Sequence, residues 1–205
     1  MLSQYRRLYL GPVIGAGLSF ISLGAILAFS ASAFSSSALA GLGYELLFDG
    51  SYYLLGGLLS QLLTQSKTHF WNCWSRETLE LIALLAGTIV FAIGAIRQPS
   101  AQTSLGQMAA GLVFAPIAVP MNWYWHHKLQ PLSGKHHHNG FDTHMKIDAA
   151  TAILVAMAGV VAFATGNPQW NKIFAAVVVA IAIGWSAKPA YRITIRMAHH
   201  PRNHV

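Results

Sequence analysis

The stretch Gly43-Tyr44-Glu45-Leu46-Leu47-Phe48-Asp49-Gly50 sets two carboxylates four residues apart inside the apolar run Leu39–Leu63. On a helix that spacing puts both side chains on one face, about 6 Å apart along the axis. An ionisable side chain within a membrane helix is costly and usually faces a partner or a watery path. The pair is therefore a functional hypothesis as well as a topological problem. A second stretch repeats the spacing with an imidazole. Asp142-Thr143-His144-Met145-Lys146-Ile147-Asp148 opens the apolar run that continues through Ala164.

The rest of the composition sets the context. Of 205 residues 54% are hydrophobic and only 9% are charged, with a mean hydropathy of +0.46. A soluble domain carries nearer a quarter charged residues, so the composition indicates an integral membrane protein. One cysteine, Cys73, excludes an intramolecular disulfide and a thiolate-cluster metal site. The formal net charge of +7 comes from basic residues scattered between apolar runs. That distribution suits loop charges at a membrane surface, not nucleic-acid binding.

Apolar runs of about 20 residues can cross the hydrocarbon core as helices. Six are expected: Leu8–Phe34, Leu39–Leu63, Glu77–Ile96, Leu105–Trp123, Phe141–Ala164 and Ile173–Ile195. The breaks carry turn chemistry, as in Ser35-Ser36-Ser37, Gln98-Pro99-Ser100 and Gly166-Asn167-Pro168. With the N-terminus inside, eleven of the 13 basic residues fall on the inner side, leaving Arg97 and Lys172 outside. The positive-inside rule then puts both termini in the cytoplasm. The expectation is an all-α polytopic membrane protein: six transmembrane helices over 1–195 and a short basic cytoplasmic tail over 196–205. A bacterial inner membrane is the preferred location.

If the two acidic faces meet, Glu45, Asp49, His144 and Asp148 bring together one nitrogen and up to three oxygen ligands. That donor mix suits Zn²⁺ in tetrahedral geometry, with Mn²⁺, Fe²⁺, Co²⁺ or Cd²⁺ as further candidates. Exchange of the ion against protons on these groups is the chemistry of a metal/proton antiporter. Five other histidines, His126, His127, His136, His137 and His138, lie between the fourth and fifth runs. They form either a loose metal-capture tract or a bland polar loop. Glu77 and Glu80 need no function beyond favourable placement at a helix start. Trp71, Trp74, Trp123, Trp125 and Trp170 are expected as interfacial anchors.

Three stretches carry a resemblance to the transmembrane domain of the cation diffusion facilitator family. They are Ser37-Ala38-Leu39-Ala40-Gly41 with Glu45 and Asp49, Ser75-Arg76-Glu77-Thr78-Leu79-Glu80, and His144 with Asp148 and Thr151. Asn122 also falls where that family often has an asparagine. The resemblance implies a six-helix exporter of divalent metal ions driven by protons, acting as a transporter and not as an enzyme. It is a resemblance to the transmembrane domain alone, without the cytoplasmic domain that members carry after the sixth helix. Its partners would be the metal ion, protons and the bilayer; a homodimer is one option for the assembly, but dimerisation through the cytoplasmic domain does not carry over. Glu45 departs from the histidine or aspartate usual at its place. Competing expectations are a membrane di-iron oxidase built on histidine clusters, and a non-transporting sensor or assembly partner with the same fold.

Overall fold

The computed structural model describes the backbone over residues 2–63, 69–98, 103–129 and 138–199. It describes side-chain surroundings over most of 11–55, 82–98, 103–129 and 144–187. Among these residues the chain is all helical. The elements are α1 (Leu2–Phe34), α2 (Ser37–Leu63), α3 (His69–Arg97), α4 (Leu105–Phe114), a 3₁₀ turn (Ala115–Ile117), α5 (Ala118–Leu129), α6 (His138–Thr165) and α7 (Gln169–His199).

Four helical stretches among the described residues are long and apolar enough to cross a membrane. They are Gly11–Phe34, Leu105–Leu129, Lys146–Thr165 and Gln169–Ala187. The apolar part of α3, Ile82–Arg97, is shorter, and α2 carries Glu45 and Asp49 within its length. The outward faces are apolar: Phe29 is 78% exposed and Ile96 80% exposed. Apolar surface of this kind, running along several helices, matches a lipid surround better than water.

The expected breaks at Ser35-Ser36-Ser37 and Gly166-Asn167-Pro168 are observed, with their chemistry, while Pro99 and Ser100 of the third lie outside the described residues. Ser35 adopts a left-handed backbone conformation (φ 53°) between α1 and α2, and Ser36 Oγ accepts from Leu39 N–H at 3.3 Å. Ser104 caps α4 by accepting from Gln107 N–H at 3.1 Å. Gly166, at φ 63°, and Asn167, whose Oδ1 accepts from Gln169 N–H at 3.0 Å, turn the chain into α7. Each cap satisfies a donor that the first helical turn leaves free.

Three segments differ from the expected spans. The fourth was expected as one helix over Leu105–Trp123. It extends to Leu129 and tightens into the 3₁₀ turn at Ala115–Ile117, where Pro116 and Pro120 remove backbone donors. The third begins at His69 and not Glu77, so Glu77 and Glu80 lie more than two turns inside α3 and not at its start, and the sixth runs on to His199. Trp125 is half-buried in the bundle. It packs inward over Gly15 of α1, where an added Cβ would meet its ring at 2.5 Å.

The α1–α2 pair forms the tightest part of the bundle. Ala16, Phe20, Leu23, Leu27 and Ala31 make one buried stripe on α1 at helical spacing. Glycines let the two backbones approach, as small residues do between membrane helices. A Cβ on Gly43 would come within 2.6 Å of Ala28 N, and one on Gly24 within 2.7 Å of Leu47 N. Gly50 lies against Gly17 and Ile21. That antiparallel register holds Asp49, its chain neighbour, inside the bundle.

Candidate metal centre

Asp49 comes from α2, and His144 and Asp148 come from successive turns of α6. His144 Nε2 lies 3.4 Å from Asp49 Oδ1 and 3.5 Å from Asp148 Oδ1. One ligand atom from each of the three lies within 4.8 Å of the other two. All three residues are buried. The imidazole nitrogen thus stands between two carboxylates contributed by different helices.

Those separations have chemical meaning. Bonds of about 2.0–2.2 Å to a tetrahedral ion place neighbouring ligand atoms roughly 3.3–3.6 Å apart. The two measured distances fall in that interval, while a well-made hydrogen bond is shorter.

The oxygens also lack other partners. Both oxygens of Asp49, Oδ1 of Asp148 and Oε2 of Glu45 are buried with no hydrogen bond. A buried carboxylate oxygen without a partner is costly, and the native fold tolerates few of them. Asp49 Oδ1 and Asp148 Oδ1 converge on one imidazole and make with it a donor set suited to a cation.

Sequence reasoning put Glu45 in the same set. The structure buries Glu45 at 3% exposure, one turn along α2 from Asp49 and close enough to Asp148, Asp49 and His144 to feel their charge. It stands outside the group of three whose ligand atoms converge. Thr151, one turn beyond Asp148, is buried on the same face of α6.

A further helix lines the centre that sequence reasoning did not connect with it. Gly87 of α3 faces Asp49, and a Cβ there would sit 3.6 Å from Oδ1. The only signal in the sequence is a glycine beside Thr88, which gives its hydroxyl back to Leu84 O at 2.9 Å. Three helices, α2, α3 and α6, therefore close around the carboxylates.

Several expected features fall elsewhere. His136 and His137 lie outside the described residues, as do the side chains of His126, His138, Glu77, Glu80, Trp71 and Trp74. Trp123 is 66% exposed at the end of the bundle that holds His144 and stacks on His127 with ring centroids 5.2 Å apart. Comparison with protein-family models, with curated proteins and with solved structures finds no match.

Proposed function

We propose that this protein carries a divalent transition-metal ion across a membrane, binding it between α2 and α6. The observation that supports this reading most is the convergence of Asp49, His144 and Asp148, with His144 Nε2 at 3.4 and 3.5 Å from the two carboxylates. The ion is the cargo, and Zn²⁺ suits the donor set best, with Mn²⁺, Fe²⁺, Co²⁺ and Cd²⁺ as further substrates. Two carboxylates balance a divalent charge, so the loaded site is neutral in a low-dielectric surround.

In this reading six segments span the bilayer: α1, α2, α3, the broken α4–α5 unit, α6 and α7. The α1–α2 and α6–α7 turns meet at one end of the bundle, where Ser36 Oγ lies 3.5 Å from Asn171 Oδ1. Arg97 and Lys172 stand at that same end, and the basic excess in the sequence makes it the outer one. Both termini are then cytoplasmic. Metal enters from the inner end, and protons take its place on the ligands as it leaves, because these ligands bind metal only when deprotonated. The resemblance to cation diffusion facilitators around Glu45, Asp49, His144 and Asp148 supports the same direction of transport.

The oxidase alternative needs clustered histidines. Among the described residues the group with metal-ligand spacing contains one histidine and two aspartates, which favours a transported ion over a di-iron centre.

The test is Asp49→Ala in proteoliposomes. Metal-dependent proton flux is expected to disappear, with the protein still folded by circular dichroism. Flux equal to that of the wild type would remove Asp49, and the site, from the mechanism.

A further inference from the structure

Asn122 on α5 is 1% exposed, and neither its Oδ1 nor its Nδ2 has a hydrogen-bond partner. A carboxamide buried in an apolar bundle with both ends unpaired is a stability liability. It is also well placed. Gly111, Ala115, Ala118 and Asn122 form one buried stripe along the broken α4–α5 unit, spaced four, three and four residues apart as on a single helix face.

That stripe faces α6. Gly111 lies against Val155 and Ala156, and Gly159 lies against Gln107 and Met108, so the two helices run antiparallel in a defined register. Eleven residues beyond Gly111 on one helix, and eleven before Val155 on the other, bring Asn122 level with His144. The 3₁₀ turn lengthens the path by only about one residue's rise. An independent contact agrees. Trp125, one turn beyond Asn122, covers Gly15 of α1, while Gly50 beside Asp49 lies against Gly17 and Ile21 of the same helix. Asn122 therefore stands between the Trp125 level and the Asp49 level, at the His144 side of the centre.

We propose that Asn122 is a further ligand of the transported ion, its Oδ1 supplying a neutral oxygen on the His144 side of the Asp49–His144–Asp148 group. The assignment rests on the metal-transport reading above. The charge balance favours an amide here. With two aspartates already matching a divalent ion, a neutral fourth donor keeps the site uncharged, whereas Glu45 in that place makes it net negative. Asn122 and Glu45 then flank the group at opposite ends. An ion entering from the inner side meets the amide oxygen first and the Glu45 carboxyl last.

The test uses Co²⁺ as probe on the full-length protein in detergent, reading affinity by equilibrium dialysis and coordination by the visible absorption spectrum. The variants are Asn122→Leu, Asn122→Asp and Asp49→Asn, each also followed by thermal unfolding without metal. Asn122→Leu is expected to weaken Co²⁺ binding about tenfold or more, to alter the bound spectrum, and to raise the apo unfolding temperature by removing the unpaired amide. Asn122→Asp keeps an oxygen donor and is expected to bind within a few-fold of wild type. Wild-type affinity and spectrum in Asn122→Leu, with binding lost in Asp49→Asn, would overturn the role of Asn122 and leave the site standing. Undiminished binding in Asp49→Asn would overturn both.

Discussion

His144 Nε2 stands 3.4 Å from Asp49 Oδ1, although the two residues lie on helices that are not neighbours in sequence. The contact is made across the bundle between α2 and α6, and Asp148 joins it from the turn above at 3.5 Å. No single helix contains a site. The pairing of two helices creates it, which is why any relative movement of α2 and α6 changes the hold on a bound ion. For the ion transport proposed above, rocking of one helix against the other would be enough to release the ion without breaking a covalent bond or unfolding a segment.

The two carboxylates are expected to act as a unit. Asp49→Asn and Asp148→Asn should each lower metal affinity by about tenfold or more. The double variant should lose less than the sum of the two free-energy changes, because residues sharing one partner are coupled. Equilibrium dialysis of Zn²⁺ against the purified protein measures all three. Strict additivity would separate the two aspartates into different sites.

Metal affinity should fall as the medium is acidified. Binding requires a neutral imidazole on His144 and ionised carboxylates, so protons and metal compete and loading releases protons. The sign is fixed by that competition: tighter binding at higher pH, weaker at lower. A weakly buffered solution with an indicator dye should acidify when Zn²⁺ is added to the wild type. His144→Ala should release fewer protons.

Glu45 should behave differently from Asp49. Its Oε2 is buried and unpaired, but it stands outside the three converging ligands. Glu45→Gln is expected to reduce affinity less than Asp49→Asn does. Exchanging this partnerless buried carboxyl for a carboxamide that can donate to the neighbouring aspartates should also stabilise the metal-free protein by about 1 kcal/mol or more. Thermal unfolding read alongside dialysis checks both, and a destabilised variant would mean that Glu45 holds the fold through a contact of its own.

The α1–α2 seam should be intolerant of added bulk. Gly43→Ala places a methyl 2.6 Å from the backbone nitrogen of Ala28, so the helices must separate at a cost of about 1–3 kcal/mol. Gly184→Ala on α7 meets nothing within 4 Å, and should be neutral or stabilising by up to about 1 kcal/mol. Unfolding in graded detergent mixtures compares the pair. Equal stability of the two variants would contradict the close approach of α1 and α2.

Much of this was legible in the chain alone. Helices follow from apolar runs, and the breaks at Ser35-Ser36 and Gly166-Asn167 follow from local capping and left-handed backbone preferences, which act within a few residues. The four-residue spacing of Glu45 with Asp49, and of His144 with Asp148, marks a shared face because helical geometry is itself local. These properties need no knowledge of what lies across the bundle.

Which members of the two pairs meet is another matter. Asp49 joins His144 and Asp148 while Glu45 stands a turn away, and that outcome depends on the depth and rotation of α2, set by Gly43 and Gly50 against α1. The same holds for Gly87 beside Asp49 and for Asn122 level with His144. Both placements arise from crossings between helices distant in sequence, and a shift of one turn would replace every neighbour. Sequence by itself determined the helices, their ends and the costly acids within them. Only tertiary packing decided which of those acids converge, because convergence is a property of interhelical register, and register is settled by small residues meeting across the bundle and not by any one helix.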